Sequence, residues 1–124
     1  MHGRNNTVLI IDDDSRNIFA LSAVLKARGY STISASEMAE AFEKVRNNDA
    51  ISIILLDMMM PDMDGYEALG ILKREQEYSH LPVIAITAQA MSGDREKCLS
   101  AGADGYLPKP VDVDMLIQTL KTKV

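Results

Sequence analysis

Cysteine is nearly absent from this sequence, with Cys98 the single example among 124 residues. No internal disulfide can therefore form, and nothing indicates an oxidising compartment. Long apolar runs are also lacking: none exceeds five residues, which is far too short to cross a membrane. Residues 1–7 lack the apolar core of a signal peptide. A cytoplasmic protein is the expectation.

Basic residues are scarce too, since 13 Lys and Arg face 18 Asp and Glu, for a formal charge of -5. This balance argues against a nucleic-acid surface, which normally appears as a basic stripe. The apolar fraction of 47% is enough for one buried core. We therefore expect a single domain over residues 1–124, with residues 1–6 disordered or left over from cloning.

Five short segments have the pattern of β-strands. The strongest are unbroken apolar runs rich in β-branched residues, which are typical of strands buried on both faces. These runs are residues 8–11, 51–56 and 83–86. Weaker strand predictions fall on residues 31–35 and 105–107.

Amphipathic segments with helical periodicity lie between and after the predicted strands. The first has Ser15 as its predicted N-cap and ends at Gly29, and the last begins at about Asp112. The apolar faces of the remaining helices are centred on Phe42, Leu69 and Cys98. Five strand–helix units in a row predict a doubly wound α/β fold with a five-stranded parallel sheet.

Polar side chains follow the predicted strands at the points where they end. Asp12 and Asp13 follow the first strand, Asp57 the third, Thr87 the fourth and Lys109 the fifth. Open parallel sheets carry their functional residues at this edge. Clustered carboxylates repel one another unless a cation neutralises them, and an all-oxygen ligand set suits Mg²⁺ better than zinc.

Lys109 makes this predicted metal site a candidate phosphoryl site. Phosphoryl transfer needs an oxygen nucleophile in line and positive charge around the equatorial oxygens. Asp57 is the candidate carboxylate nucleophile, while Mg²⁺ and Lys109 would supply the charge. Thr87 would donate its hydroxyl to the product.

The order of these residues resembles the receiver domains of two-component response regulators. The similarity runs from Val8 to about Leu120. It is supported by residues 56–65, LDMMMPDMDG, and residues 101–110, AGADGYLPKP. The resemblance implies a flavodoxin-like (βα)5 fold with the strand order 2-1-3-4-5.

The resemblance also implies the roles of the acidic residues. Asp57 would accept the phosphoryl group and, together with Asp13, would ligate Mg²⁺ directly. Asp12 would act on the ion through a water molecule. The backbone carbonyl of Met59 would complete the protein ligands.

Three further residues are implied to bind and sense the phosphoryl group. Lys109 would pair with its oxygens, next to a cis peptide bond to Pro110. The Thr87 hydroxyl would move toward the group and the Tyr106 ring would turn inward, as a switch. The face formed by the fourth helix, fifth strand and fifth helix would then change for partners, including a second copy of the chain.

The implied phosphoryl donor is a phosphohistidine on a histidine kinase or a histidine phosphotransfer domain. Residues 15–21, SRNIFAL, and 91–98, MSGDREKC, look most like receivers of hybrid sensor kinases. We therefore expect an excised module rather than a single-domain regulator, without direct nucleic-acid or membrane contact. Such a domain catalyses its own phosphorylation and dephosphorylation but is not a turnover enzyme.

The strongest alternative is a phosphohydrolase of the haloacid dehalogenase type. Residues 9–15, LIIDDDS, also satisfy that family's apolar run followed by Asp-x-Asp, with Asp12 as nucleophile and Asp14 as general acid. That alternative gives Asp57 no role. Only fifteen residues follow Lys109, too few for the acidic pair and cap that it needs. Otherwise we expect Asp14 to be a surface or capping residue.

Two non-catalytic alternatives share the predicted fold. One is a pseudo-receiver that no longer accepts phosphate, although every residue type of the acceptor site is present. The other is a flavin binder, whose phosphate the carboxylates would repel; fold alone does not decide function. Individually, Thr87 and Lys109 would be ordinary strand-end or turn residues, and Tyr106 would more often be packing.

Several other conspicuous residues have a structural explanation. Met58, Met59 and Met60 are consecutive and cannot all face one ion, so packing is favoured over a soft-metal site. Cys98 is predicted to be a small core residue. His2 and His80 lie in polar segments and are predicted to be exposed.

Overall fold

The structure is a computed structural model that describes residues 6–60, 64–76, 78–88 and 93–123. Strands and helices alternate along it. The strands are β1 (Thr7–Ile11), β2 (Ser31–Ala35), β3 (Ile51–Asp57), β4 (Val83–Thr87) and β5 (Gly105–Pro108). The helices are α1 (Ser15–Ala27), α2 (Met38–Arg46), α3 (Gly65–Arg74), α4 (Asp94–Ser100) and α5 (Val113–Lys123).

The strands form a parallel sheet in the order β2-β1-β3-β4-β5. This confirms the predicted flavodoxin-like α/β fold and its strand order. In the register, Ile11 pairs with both Ala35 and Leu56, and Asp57 pairs with Ile86. The strand order reverses at β1, because β2 lies on one side of it and β3 on the other. The crevice at this reversal is where an open sheet of this kind binds its ligands.

Alternate residues of the central strands enter two apolar clusters, one on each face of the sheet. Ile53 and Leu55 pack beneath α1 and α5, whereas Ile54 and Leu56 pack against α2, α3 and α4. All four are fully buried. This burial on both faces explains why β3 is an unbroken apolar run in the sequence.

Several predicted element ends differ by one residue from the structure: strand β1 begins one residue earlier, and β4 and β5 each end one residue later. Ser15 was the predicted N-cap of α1, but Asp14 caps the helix: its Oδ1 accepts a 3.0 Å hydrogen bond from the Arg16 amide. Ser15 is instead the first helical residue, which corrects the prediction. Helix α5 begins at Val113, one residue later than predicted, and strand β3 extends one residue further, to Asp57.

Gly29 ends the first helix as predicted, and its φ of 93° lies in the left-handed region that favours glycine. Of the predicted terminal segment, residues 1–5 lie outside the described residues. Asn6 is described, and its side-chain amide donates to the Gly29 carbonyl oxygen at 2.8 Å. The start of β1 is thereby joined to the turn that precedes β2.

The structure tests most of the structural roles predicted for the methionine run, Cys98 and the histidines. Cys98, Met58 and Met60 are buried in the cluster beneath α2, α3 and α4, while the Met59 side chain is exposed. His80 is exposed; His2 lies outside the described residues. None of the described helices combines the length and the apolar character that crossing a membrane requires.

Candidate functional site

Strand register brings the predicted site residues to one edge of the sheet. Because Ile11 pairs with Leu56, the residues that follow them, Asp12 and Asp57, come to the same level. Thr87 is the last residue of β4, and its carbonyl oxygen accepts a 2.8 Å hydrogen bond from the Lys109 amide. The ends of β1, β3, β4 and β5 therefore meet as the sequence predicted.

Three carboxylates form a cluster at this edge. Asp12, Asp13 and Asp57 each offer an oxygen, and these oxygens lie within 4.8 Å of one another. Asp12 and Asp57 are buried, with exposures of 2% and 4%, whereas Asp13 is exposed. An all-oxygen, carboxylate-rich set open to solvent on one side is the donor chemistry that Mg²⁺ prefers.

Lys109 lies beside the two buried carboxylates. Its Nζ is 3.2 Å from Asp57 Oδ2 and 4.0 Å from Asp12 Oδ2. The peptide bond between Lys109 and Pro110 is cis, as the resemblance implied. The ammonium therefore lies close to carboxylate oxygens of both Asp12 and Asp57.

Neighbouring groups act in opposite directions on the pKa of the Asp57 carboxyl. Its pKa is raised above the usual value mainly by burial, and the nearby Asp12 carboxylate adds to the increase. A 2.9 Å hydrogen bond from the Met59 amide to Oδ1 and the charge of Lys109 act in the other direction. A carboxylate that is desolvated and near a like charge is poorly stabilised as an ion, which makes it receptive to a cation or a covalent partner.

Asp12 is oriented by its own local contacts. Its Oδ1 accepts a 2.9 Å hydrogen bond from the Asp14 amide, and its Oδ2 accepts one from the Asn17 side chain. Asn17 lies in the first turn of α1, so it reaches back to the end of β1. The sequence-based prediction of the site did not include Asn17. Its position five residues after Asp12, just inside a predicted helix, was the signal available in the sequence.

The two predicted switch residues, Thr87 and Tyr106, differ in how deeply they are buried. Thr87 is buried with 2% exposure, whereas Tyr106 is partly buried and packs against the cluster beneath α2, α3 and α4. The Tyr106 hydroxyl donates to Asp94 Oδ2 at 3.1 Å. Sequence reasoning missed Asp94, because only the fold brings the start of α4 next to β5.

A family model for the response regulator receiver domain matches residues 8–121. The chain belongs to the response regulator receiver family. It is 35% identical over 116 residues to the polar-differentiation response regulator DivK of Brucella ovis, and the alignment covers 94% of both chains. DivK of Brucella suis matches to the same extent.

Solved receiver structures have the same fold. A putative response regulator from Chloroflexus aurantiacus superposes with a TM-score of 0.86 at 29% identity, covering 94% of this receiver and 95% of that chain. The receiver domain of a Pseudomonas aeruginosa sensor histidine kinase has a TM-score of 0.83 at 30% identity, covering 96% and 97%. That second structure has a magnesium ion coordinated in its active-site cleft.

The family match also bears on the phosphohydrolase alternative. That alternative needed Asp14 as a general acid, but the Asp14 carboxylate caps α1 by accepting from the Arg16 amide. Asp57, which had no role there, belongs to the carboxylate cluster. The receiver interpretation therefore accounts for both residues.

Proposed function

We propose that this receiver accepts a phosphoryl group from a phosphohistidine onto Asp57 in a Mg²⁺-dependent reaction, and then changes conformation to control a partner or an attached domain. The observation that carries the proposal is the site geometry. Three carboxylates share one cluster, and Lys109 lies 3.2 Å from the buried Asp57. We treat residues 1–124 as one receiver domain, in keeping with the family match over residues 8–121.

The donor set fits a magnesium ion. Asp13 and Asp57 would hold it directly, Asp12 would act through a water molecule, and the Met59 carbonyl would complete the protein ligands. The ion would supply positive charge that neutralises the carboxylates and the developing charge on the phosphoryl oxygens. Asp12 is already oriented for this task by its contacts with Asn17 and the Asp14 amide.

The transfer itself exchanges one bond for another. An Asp57 carboxylate oxygen attacks phosphorus, a new P–O bond forms, and the P–N bond of the phosphohistidine breaks. The imidazole leaves with the electron pair and takes up a proton. Lys109 stabilises the phosphoryl oxygens, and Thr87 donates its hydroxyl to the aspartyl phosphate.

A groove beside the site is suited to the protein that carries the phosphohistidine. It runs between α1 and α5, and its walls include Asn17, Leu21, Lys109 and Pro110. Phe19, on the same helix as Asn17, is 76% exposed. A large exposed apolar side chain on a helix that borders such a groove is typical of a surface that a partner covers.

Intact-mass measurement tests the acceptor chemistry. After incubation with Mg²⁺ and acetyl phosphate, we expect the wild-type receiver to gain one phosphoryl group, in an adduct that hydroxylamine removes. Asp57→Ala should gain none. An unmodified wild-type protein that still binds Mg²⁺ would indicate a pseudo-receiver, and an adduct that persists in Asp57→Ala would point to Asp12.

Replacement of Phe19 tests the donor surface separately. Phe19→Ser should accept phosphate from acetyl phosphate at the wild-type rate, because the small donor needs no docking surface. Transfer from a phosphorylated histidine phosphotransfer domain should slow about ten-fold, as for loss of an apolar contact. Ala23→Ser, at an exposed position one turn further along α1, is the matched control. Equal transfer rates for all three proteins would exclude Phe19 from the interface.

The remaining expectations stay part of the proposal. The donor is a histidine kinase or a histidine phosphotransfer domain, and the receiver functions in the cytoplasm, without nucleic-acid or membrane contact of its own. The α4–β5–α5 face is proposed to change on phosphorylation and to support a homodimer. The likeness of residues 15–21 to hybrid-kinase receivers supports a module of a longer kinase.

A further inference from the structure

Outside the carboxylate site, Asp94 binds two tyrosine hydroxyls. Tyr66, in the first turn of α3, donates to Oδ1 at 3.1 Å, and Tyr106, on β5, donates to Oδ2 at 3.1 Å. Asp94 is itself the first residue of α4. Three elements of the fold are therefore joined through one carboxylate.

This junction lies at the start of a helix that has no side-chain cap among the described residues. The residue before the helix, Gly93, has no side chain with which to cap it. Both tyrosine rings pack partly buried against the cluster beneath α2, α3 and α4. The Lys97 ammonium lies 4.6 Å from the centre of the Tyr66 ring. Hydrogen bonds to an ionised carboxylate are stronger than neutral ones, so this junction restrains the start of α4.

The Tyr66 end of the junction is firmly connected to the acceptor strand. A Cβ atom added to the neighbouring Gly65 would lie 3.0 Å from the Met58 Cα and 2.9 Å from its Cε. Met58 directly follows Asp57, and its amide donates to the Ile86 carbonyl oxygen at 2.8 Å. The start of α3 is thus packed tightly against the chain next to the proposed phosphorylation site.

We propose that Asp94, bound to both Tyr66 and Tyr106, is a latch that couples the position of α4 to the conformation of Tyr106 and stabilises the resting state of the receiver. The inference rests on the proposed function, in which the Tyr106 ring turns inward on phosphorylation. That movement breaks the bond to Oδ2, and α4 then moves away from Tyr66, so that both hydrogen bonds to Asp94 exist only in the resting state. The bonds that exist only in the resting state set the equilibrium between the two states.

Beryllofluoride, a phosphoryl mimic, provides the test. The amide resonances of residues 94–100 are measured by NMR in the free receiver and during titration with Mg²⁺ and beryllofluoride. Tyr66→Phe removes one hydroxyl and one anchor of the latch. We expect its free-state resonances to move toward the beryllofluoride-bound positions, and its apparent beryllofluoride affinity to rise about five-fold.

The matched control is Tyr78→Phe, which also removes a single tyrosine hydroxyl. The Tyr78 hydroxyl accepts from Arg46 Nη1 at 2.7 Å, near the opposite edge of the sheet. This variant should leave both the α4 resonances and the beryllofluoride affinity unchanged. A second variant, Asp94→Ala, should shift the equilibrium at least as far as Tyr66→Phe. Adding Tyr66→Phe to Asp94→Ala should have no further effect, because Asp94→Ala already removes the hydrogen bond that Tyr66→Phe removes.

The outcomes separate the latch from the proposed function. Suppose that the wild type binds beryllofluoride and its α4 resonances move, but that Tyr66→Phe behaves like Tyr78→Phe. The latch proposal is then wrong, and the proposed receiver function is unaffected. An additive effect of Asp94→Ala and Tyr66→Phe would also overturn the latch. If the wild type neither binds beryllofluoride nor accepts phosphate, the proposed function fails and the latch fails with it.

Discussion

At the carboxyl edge of the sheet, two buried carboxylates, Asp12 and Asp57, lie near each other with Lys109 beside them. At the amino edge, Asp104 Oδ2 accepts from Lys73 Nζ at 2.8 Å and from the Val83 amide at 2.9 Å. At the amino edge one carboxylate therefore has one ammonium partner, whereas at the carboxyl edge two buried carboxylates lie beside a single ammonium.

The two edges are therefore expected to have opposite effects on the stability of the fold. A carboxylate with an ammonium and an amide donor contributes to stability, since its lost hydration is replaced. Neighbouring buried carboxylates cost stability until a cation or a covalent change relieves them. We therefore expect the carboxyl edge to lower the stability of the metal-free protein and the amino edge to raise it.

The largest expected effect concerns the amino edge. Asp104→Ala leaves both the Lys73 ammonium and the Val83 amide without the carboxylate that binds them. We expect the free energy of unfolding in urea to fall by about 2 kcal/mol. Glu43→Ala, at an exposed position on α2, should change it by less than about 0.5 kcal/mol. Equal effects of the two variants would contradict a stabilising role for this edge.

Magnesium should have the next largest effect, at the carboxyl edge. At ten times its dissociation constant, Mg²⁺ should raise the free energy of unfolding by about 1.4 kcal/mol, because it binds only the folded receiver. Asp13→Asn should abolish most of this gain. Sodium chloride at matched ionic strength is the control, and an equal gain with it would show that general screening is responsible.

Removing the charge of Asp57 should stabilise the metal-free protein. Asp57→Asn relieves the repulsion from Asp12, and we expect the free energy of unfolding to rise by about 1 kcal/mol in EDTA. Because burial raises the pKa of folded Asp57, the folded protein binds more protons than the unfolded chain between the two pKa values. The destabilisation is therefore absent below the unfolded pKa and complete above the folded one.

The gain from Asp57→Asn should thus shrink as the solution is acidified, and it should also shrink when Mg²⁺ is added to the wild type. Both comparisons use urea unfolding of the two proteins in parallel. A variant less stable than the wild type at neutral pH without metal would show that the ion pair with Lys109 outweighs the repulsion.

The smallest expected effect lies near the amino edge again. Tyr78→Phe removes the hydroxyl that accepts from the exposed Arg46 but keeps the ring, which stacks on Phe42 with centroids 5.0 Å apart. We expect a loss of about 0.5 kcal/mol in the free energy of unfolding. Phe42→Leu, which disrupts the stacking, should cost more. The reverse order would place the hydroxyl, not the ring, at the centre of this contact.

Much of the fold follows from local pattern. The unbroken apolar runs that became β1, β3 and β4 are buried on both faces, so periodicity alone identified them as central parallel strands. The weaker β2 and β5 were also correctly placed. The exact start of a helix does not follow from local pattern. Asp14 and Ser15 are both favoured capping residues, and the sequence alone does not specify which of them has the extended backbone of an N-cap.

The sequence by itself determined which residue types stand at the strand ends, and thus the set of Asp12, Asp13, Asp57, Thr87 and Lys109. A parallel sheet must bring those ends to one edge, so their assembly follows from strand identity. Only the tertiary structure decided the contacts between elements distant in sequence. The meeting of Tyr66, Asp94 and Tyr106 depends on how α3, α4 and β5 pack, and no local pattern encodes the distance between their side chains.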